Sequence, residues 1–351
     1  MMLFTVGPVP MYPETLKESG EQIPYFRTEQ FSEKMLESEA LLKKLMGAPE
    51  GSKVAFLTAS GTGAMEAAVA CTFSKNDKVL IVNGGGFGRR FCEICDLHGI
   101  PYDTVDLAFG EALTAEKLKP FEGKKYAGLL ANMDETSTGQ LYDVKLLSSF
   151  CRQCGAYLVI DAISSFLADP MDMEDMGIDE VIISSQKALS LAPGISAVVL
   201  SPRVYKERIE GRHGPLYYLD LETHIVNMKR GQTPFTPAVG ILLNLNSMLK
   251  RLDAEGVDKV IADTNELAVY FRRKAKEAGL KIPDYPLSNA VTPVLVDNAH
   301  AVFEELSEKY DIYVTPSGGD LRDKLLRVGH IGNHSKEDYD ILLEKMKEVL
   351  G

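Results

Sequence analysis

The chain has 351 residues, a hydrophobic share of 45% and a charged share of 25%. That is an ordinary globular balance with room for two to three domains and a core that needs no disulfide or metal staple. With 38 basic against 50 acidic side chains the formal charge is −12, which argues against nucleic acid and anionic membrane surfaces as partners. No apolar run approaches the roughly 18 to 20 residues of a membrane span, and Met1–Pro13 lacks the basic and apolar regions of a signal peptide, so a cytoplasmic protein is expected.

In chain order, short apolar runs predict strands at Val54–Leu57, Val79–Val82, Tyr102–Asp106, Ala127–Ala131, Tyr157–Ile160, Glu180–Ser184 and Ile195–Leu200. Helical periodicity fills Gly63–Phe73, Arg89–Leu97 and Lys145–Cys154. The alternation predicts an α/β fold with a mostly parallel sheet covered on both faces. Only ten residues separate Ser184 from Ile195, too few for a parallel crossover, so the last strand should run antiparallel. Beyond Pro202 the chain turns polar and Gly/Pro-punctuated (Arg203–Tyr218, Gly231–Pro237). Helical patterns follow at Val239–Leu252, Val257–Ala278, Ala299–Tyr310 and from Lys336, with strand-like Thr292–Val296, Ile312–Thr315 and Leu325–Val328. The expected division is a large domain over residues 15–238 and a smaller α+β domain made of residues 1–14 and 239–351.

Ligands of an open α/β sheet bind beyond the carboxyl ends of its strands, so the residues that follow each strand carry the information. After the first strand, Ser60-Gly61-Thr62 opens a helix, a seat for one phosphate group; an ordinary N-cap by Ser60 or Thr62 is the plainer reading. After the second, Asn83-Gly84-Gly85-Gly86-Phe87-Gly88 is glycine-rich, and with Asp106, 22 residues beyond Gly84, it imitates a dinucleotide fingerprint. The G-x-G-x-x-G pattern fails at Arg89, and Phe87 instead offers an aromatic face to a flat ring. Asp161 ends the fifth strand. Lys187, in Ser185-Gln186-Lys187-Ala188, follows the sixth. A lysine among small residues at such a place has its charged form disfavoured, which suits Schiff-base chemistry with a carbonyl, although most lysines simply face solvent. Pyridoxal 5′-phosphate requires all four features: a lysine for its aldehyde, an acid for its pyridine nitrogen, an aromatic face for its ring and a phosphate seat.

The five cysteines include Cys92/Cys95 and Cys151/Cys154, two C-x-x-C pairs. Both pairs fall on amphipathic helical patterns and stand 56 residues apart, against the roughly 15 to 20 of a zinc ribbon. They read as core thiols, with no metal site.

These residues resemble the class V pyridoxal-phosphate aminotransferases of fold type I, in the alanine–glyoxylate, serine–pyruvate and 2-aminoethylphosphonate transaminase branch. The resemblance runs from Gly7-Pro8-Val9-Pro10 through Arg27 and Phe31, Ser60-Gly61-Thr62 and Asp134-Glu135-Thr136-Ser137-Thr138-Gly139. It continues through Asp161 and Lys187 with their 26-residue spacing and closes on Leu326-Arg327-Val328-Gly329-His330. It implies a seven-stranded large domain and a homodimer with shared active sites. By the resemblance, Lys187 is the cofactor-binding and proton-shuttling lysine, and Asp161 pairs with the ring nitrogen. Thr136 bonds the ring's phenolic oxygen. Ser60, Gly61 and Thr62 hold the phosphate, with Gln186 near it and Thr233 reaching it from the other subunit. Arg327 grips the substrate carboxylate, Gly7 lines the substrate site, and Arg27 is a candidate phosphonate contact. An inter-domain salt bridge is the competing task for Arg327. No cysteine follows Cys154, which argues against the sibling cysteine desulfurases. The expected activity is transfer of an amino group from a small amino acid to a 2-oxo acid such as pyruvate or glyoxylate, with 2-aminoethylphosphonate as an alternative donor. An NAD(P)-binding oxidoreductase built on Gly84–Asp106 and a catalytically silent cofactor-binding regulator are the other readings.

Overall fold

The computed structural model describes residues 1–350. Seven strands form the central sheet: β1 (Lys53–Leu57), β2 (Val79–Asn83), β3 (Tyr102–Asp106), β4 (Gly128–Asn132), β5 (Tyr157–Asp161), β6 (Glu180–Ser184) and β7 (Ser196–Leu200). Their spatial order is β1-β7-β6-β5-β4-β2-β3. The run from β6 to β3 is parallel, and β7 is antiparallel to both of its neighbours. The short connection before β7 thus returns by a tight turn, as its length requires.

Apart from the edge strand β3, whose Asp103, Thr104 and Asp106 stay at least partly exposed, the strands are mostly apolar because both faces are covered. Val54, Phe56, Leu80, Val82, Leu129, Ala131, Leu158 and Ile160 face one core, while Ala55, Leu57, Val79, Ile81, Leu130 and Val159 face the other, the two-residue alternation of a pleated strand. The first core is roofed by the helices Glu29–Leu45, Val144–Cys154 and Val239–Glu255. The second is roofed by Gly61–Thr72, Gly86–His98 and Leu221–Met228. Cys151 sits in the first core, and Cys92 and Cys95 in the second. The two C-x-x-C pairs therefore lie on opposite sides of the sheet.

Three features depart from the sequence reading. Glu29–Leu45, unpredicted from the sequence, is a 17-residue helix capped by Thr28, whose hydroxyl accepts from the Phe31 N–H, and it buries Phe31, Met35, Leu42 and Leu45. The domain boundary at 238/239 falls one helix early. Val239, Leu242, Leu245, Met248, Leu249 and Leu252 all pack into the first core, so Val239–Glu255 belongs with the large domain. The second domain has its own core around Phe271, Val294, Leu306, Leu326, Leu342 and Met346. There β8 (Val291–Leu295), β9 (Thr315–Pro316) and β10 (Leu325–Gly329) form an antiparallel sheet in the order β8-β10-β9. The single strand expected at Ile312–Thr315 is split. Ile312–Tyr313 pairs in parallel with Met2–Leu3, while Thr315 pairs with Arg327. Residues 2–4 are thereby stitched to this domain, with Phe4 in its core. Among the described residues no helix is long and apolar enough to cross a membrane.

Candidate active site

The carboxyl ends of β1, β2, β4, β5 and β6 open on one rim. Here the parallel order places side by side residues that lie far apart in sequence. Asn132 and Asp161 end adjacent strands in register. The Asn132 amide donates to one Asp161 carboxylate oxygen at 2.7 Å, and the Ile163 N–H donates to the other at 2.9 Å. Asp161 is almost fully buried, and burial pushes its pKa up to about 6, with Ile163, Asn132 and Lys187 restraining the shift and Glu135 adding to it. It is therefore an anion at neutral pH, with lone pairs to spare for a cationic N–H.

Lys187 follows β6. Its Nζ donates to the Val6 carbonyl at 2.6 Å, so the N-terminal segment clasps it. Gly7 makes that approach possible: a Cβ there would lie 2.7 Å from Cδ and 2.9 Å from both Cε and Nζ of Lys187. Burial lowers the ammonium pKa to about 8, opposed by Asp134 and Asp161 and aided by Arg327 and Arg90. The neutral amine is thereby more populated near neutral pH than in an ordinary lysine.

At the helix opening after β1, Ser60 occupies the N-cap position but its hydroxyl makes no cap bond, so the plainer capping role is not the one it plays. The first N–H groups of the helix have no intrahelical partners. The Thr62 hydroxyl accepts from Arg90 at 3.0 Å, and the Arg90 guanidinium lies 4.8 Å from the Phe87 ring centre. Gln186 accepts from the Ser184 hydroxyl at 2.6 Å. The Thr136 hydroxyl lies 2.6 Å from that of Ser164, which in turn lies 2.5 Å from an Asp134 carboxyl oxygen.

Arg327, on β10, reaches the same rim from the second domain. It donates to the carbonyls of Thr136 at 3.1 Å and Pro316 at 2.9 Å, while its buried Nε has no partner. It forms no salt bridge among the described residues, so the ion-pair reading is set aside. Desolvation lowers the pKa of this half-buried guanidinium to about 10, opposed by the Glu135 charge.

Within one subunit, two expected residues make contacts of their own. The Thr233 hydroxyl is buried and donates to the Phe235 carbonyl at 2.7 Å; Thr236 is the exposed hydroxyl of that loop. Arg27 donates to the Gln232 side chain at 2.9 Å and to the Thr233 carbonyl at 2.8 Å. It holds this loop in place.

The dinucleotide alternative fails on geometry. The helix N-terminus after the glycine-rich turn, where a pyrophosphate would sit, is filled by the Glu135 carboxylate, which accepts from the Phe87 N–H at 3.1 Å and the Gly88 N–H at 2.9 Å. Asp106 is engaged by Asn83 and Thr104. Sequence reasoning gave no role to Val6, Asn132, Asp134, Glu135, Ser164 or Arg90. Asp134 and Glu135 stand in a run singled out there, but the pairing of Asp134 with Ser164 exists only in three dimensions.

The seven-stranded order with one antiparallel member, a second domain whose Arg327 reaches the strand ends, and a half-buried lysine near an aspartate define a fold type I enzyme. Residues 19–285 match the family described as aminotransferase class V, and the chain belongs to that family, whose members depend on pyridoxal phosphate. The L-aspartate–glyoxylate aminotransferase of Paracoccus denitrificans is 28% identical over 80% of this chain and 74% of its own length. The protein named soluble hydrogenase 42 kDa subunit from Anabaena cylindrica is 29% identical over 100% of this chain and 93% of its own. Among solved structures, the subgroup IV aspartate aminotransferase of Thermus thermophilus superposes with a TM-score of 0.91 at 28% identity, covering 100% of this chain and 99% of that one.

Proposed function

We propose that this aminotransferase binds pyridoxal 5′-phosphate through Lys187 and moves an amino group from a small amino acid to a 2-oxo acid such as pyruvate or glyoxylate, as a homodimer. The observation that carries the reading is the buried Lys187 amine, held by the Val6 carbonyl and flanked by Asp161 and Arg327. The donor set fits the cofactor: Ser60 with its uncommitted hydroxyl, and the free N–H groups of Gly61 and Thr62, suit the phosphate. Phe87 offers a ring face, Asp161 an anion for the pyridine nitrogen, Thr136 a hydroxyl for the phenolic oxygen, and Gln186 a further polar contact.

When bound, the cofactor supplies an aldehyde and an electron-withdrawing ring that acidifies the donor's α-carbon. Lys187, neutral in part at physiological pH, would hold that aldehyde through its amine and serve as the base for the α-proton. Asp161 keeps the ring nitrogen protonated, and Asn132 and the Ile163 N–H fix its orientation. Arg327 suits the substrate's α-carboxylate, because its charge has no internal partner and a planar fork matches a carboxylate.

The names of the Paracoccus and Thermus relatives favour aspartate among donors and glyoxylate among acceptors. Adding aspartate, alanine, serine or 2-aminoethylphosphonate to the cofactor-loaded protein should convert its absorption from the aldehyde-derived to the amine form. Borohydride should attach the cofactor to the Lys187 peptide. Lys187→Ala should lose both. A protein whose spectrum no amino donor changes would overturn the reading.

A further inference from the structure

Three buried groups at the rim form a chain. Asp134 lies just beyond the end of β4, Ser164 lies three residues beyond the end of β5, and Thr136 stands two residues past Asp134. Ser164 Oγ is 2.5 Å from Asp134 Oδ1 and 2.6 Å from Thr136 Oγ1. All three residues are 5% exposed or less. Asp134 Oδ2 is buried with no hydrogen-bond partner, a costly arrangement for an anion and a tolerable one for a neutral carboxyl group.

Resting on the proposed cofactor reading, we propose that Asp134 is a positioning residue: it stores a proton that sets the direction of the Asp134–Ser164–Thr136 chain, and so decides whether Thr136 donates to or accepts from the phenolic oxygen of the bound ring.

The logic is a count of protons. Each hydroxyl has one proton to give. With Asp134 ionised, Ser164 must donate to the carboxylate and Thr136 to Ser164, so Thr136 presents only lone pairs to the ring. With Asp134 protonated, the carboxyl donates to Ser164, Ser164 donates to Thr136, and the Thr136 proton is free to point outward. A phenolate needs that donor, whereas a neutral phenol needs the acceptor. The carboxyl proton therefore reaches the cofactor through two hydroxyls without leaving Asp134.

The groups facing Asp134 decide which state prevails. Asp169 and Asp161 are acidic neighbours and favour the protonated form. Lys187 and the Ser164 hydroxyl favour the anion. Glu135 and Tyr142 also stand close, and Arg327 holds the adjoining Thr136 carbonyl. Burial dominates and raises the carboxyl to about 8. At neutral pH the chain points outward, and it reverses as the pH climbs past that value.

The test combines infrared and visible spectroscopy. In cofactor-free protein, the difference between wild type and Asp134→Asn should contain a protonated-carboxyl C=O band that disappears between pH 7 and 9, the contribution of buried Glu180 being common to both. In cofactor-loaded protein, the visible spectrum should titrate over the same range. Asp134→Asn should abolish that step, and Ser164→Ala should uncouple it while keeping the infrared titration. The milder Ser164→Ala keeps the test alive should Asp134→Asn fold poorly. An unchanged visible titration in Ser164→Ala, or no carboxyl band in the difference between cofactor-free wild type and Asp134→Asn, overturns the inference. Failure to bind pyridoxal phosphate at all would defeat the proposed function separately, leaving the infrared result to decide whether Asp134 holds the proton.

Discussion

Gly7→Ala isolates what the N-terminal clasp does for Lys187. The native Gly7 φ is +135°, a value that an alanine reaches only with strain of about 1–3 kcal/mol. That cost alone predicts a fall in melting temperature of roughly 2–8 °C, at the few degrees per kcal/mol expected for large domains. The second cost is local. The new Cβ would stand 2.7 to 2.9 Å from three atoms of Lys187, so the side chain must retreat by roughly 0.5–1 Å to regain ordinary contact. Such a retreat breaks the 2.6 Å bond to Val6, and a misplacement of about 1 Å at a reacting group costs on the order of 100-fold in rate. The assay is single-turnover conversion with aspartate, beside thermal melts. Gly99→Ala is the control: its φ is +64° and nothing lies within 4 Å of the point a methyl group would occupy, so it should lose stability and keep its rate. A Gly7→Ala protein that reacts as fast as Gly99→Ala would refute the argument.

Arg327→Lys should weaken half-reactions with carboxylate substrates by roughly 10- to 100-fold, because a point charge cannot replace a planar fork; transient kinetics with alanine and pyruvate checks it, and unchanged rates would make Arg327 a domain tie only. Glu180 is buried against Thr72, and burial raises its pKa to about 8 from 4.5. A raised carboxyl pKa stabilises the fold fully below the unfolded value and loses that contribution as pH climbs from about 4.5 to 8. Glu180→Gln should therefore flatten the decline in melting temperature across that window, and a slope equal to wild type would contradict the assignment. Thr233→Val should cost about 1 kcal/mol of stability through the lost Phe235 bond, with cofactor affinity unchanged; equilibrium dialysis beside urea melts separates the two outcomes.

Legibility in the sequence tracked how local the signal was. The seven strands lie within a residue or so of their apolar runs, because strands buried on both faces carry few polar interruptions. The antiparallel turn before β7 followed from chain length alone. The helix Glu29–Leu45 escaped because charged residues surround a narrow apolar stripe, though Thr28 and the spacing of Phe31, Met35, Leu42 and Leu45 were there to be read. The glycine-rich turn after β2 misled for a different reason: what fills it is Glu135, brought from 47 residues away by the strand order. The Val6 carbonyl is backbone and has no signature in any side-chain pattern. Lys187 and Asp161 stood out because both mark strand ends, while Asp134 and Ser164 acquire meaning only as neighbours.

The stitching of residues 2–4 to the second domain also bears on how the protein is made. Met2 pairs with Ile312, and the Phe4 carbonyl accepts from the Gly329 N–H. More than 300 residues thus separate the partners in order of synthesis. At roughly 5–20 residues per second of translation, the segment that clasps Lys187 waits some tens of seconds for its own docking strand. The large sheet is complete in the nascent chain by Leu200, well before that clasp can close. During biosynthesis the reactive amine is therefore framed by its sheet before it is sealed, an interval open to an aldehyde.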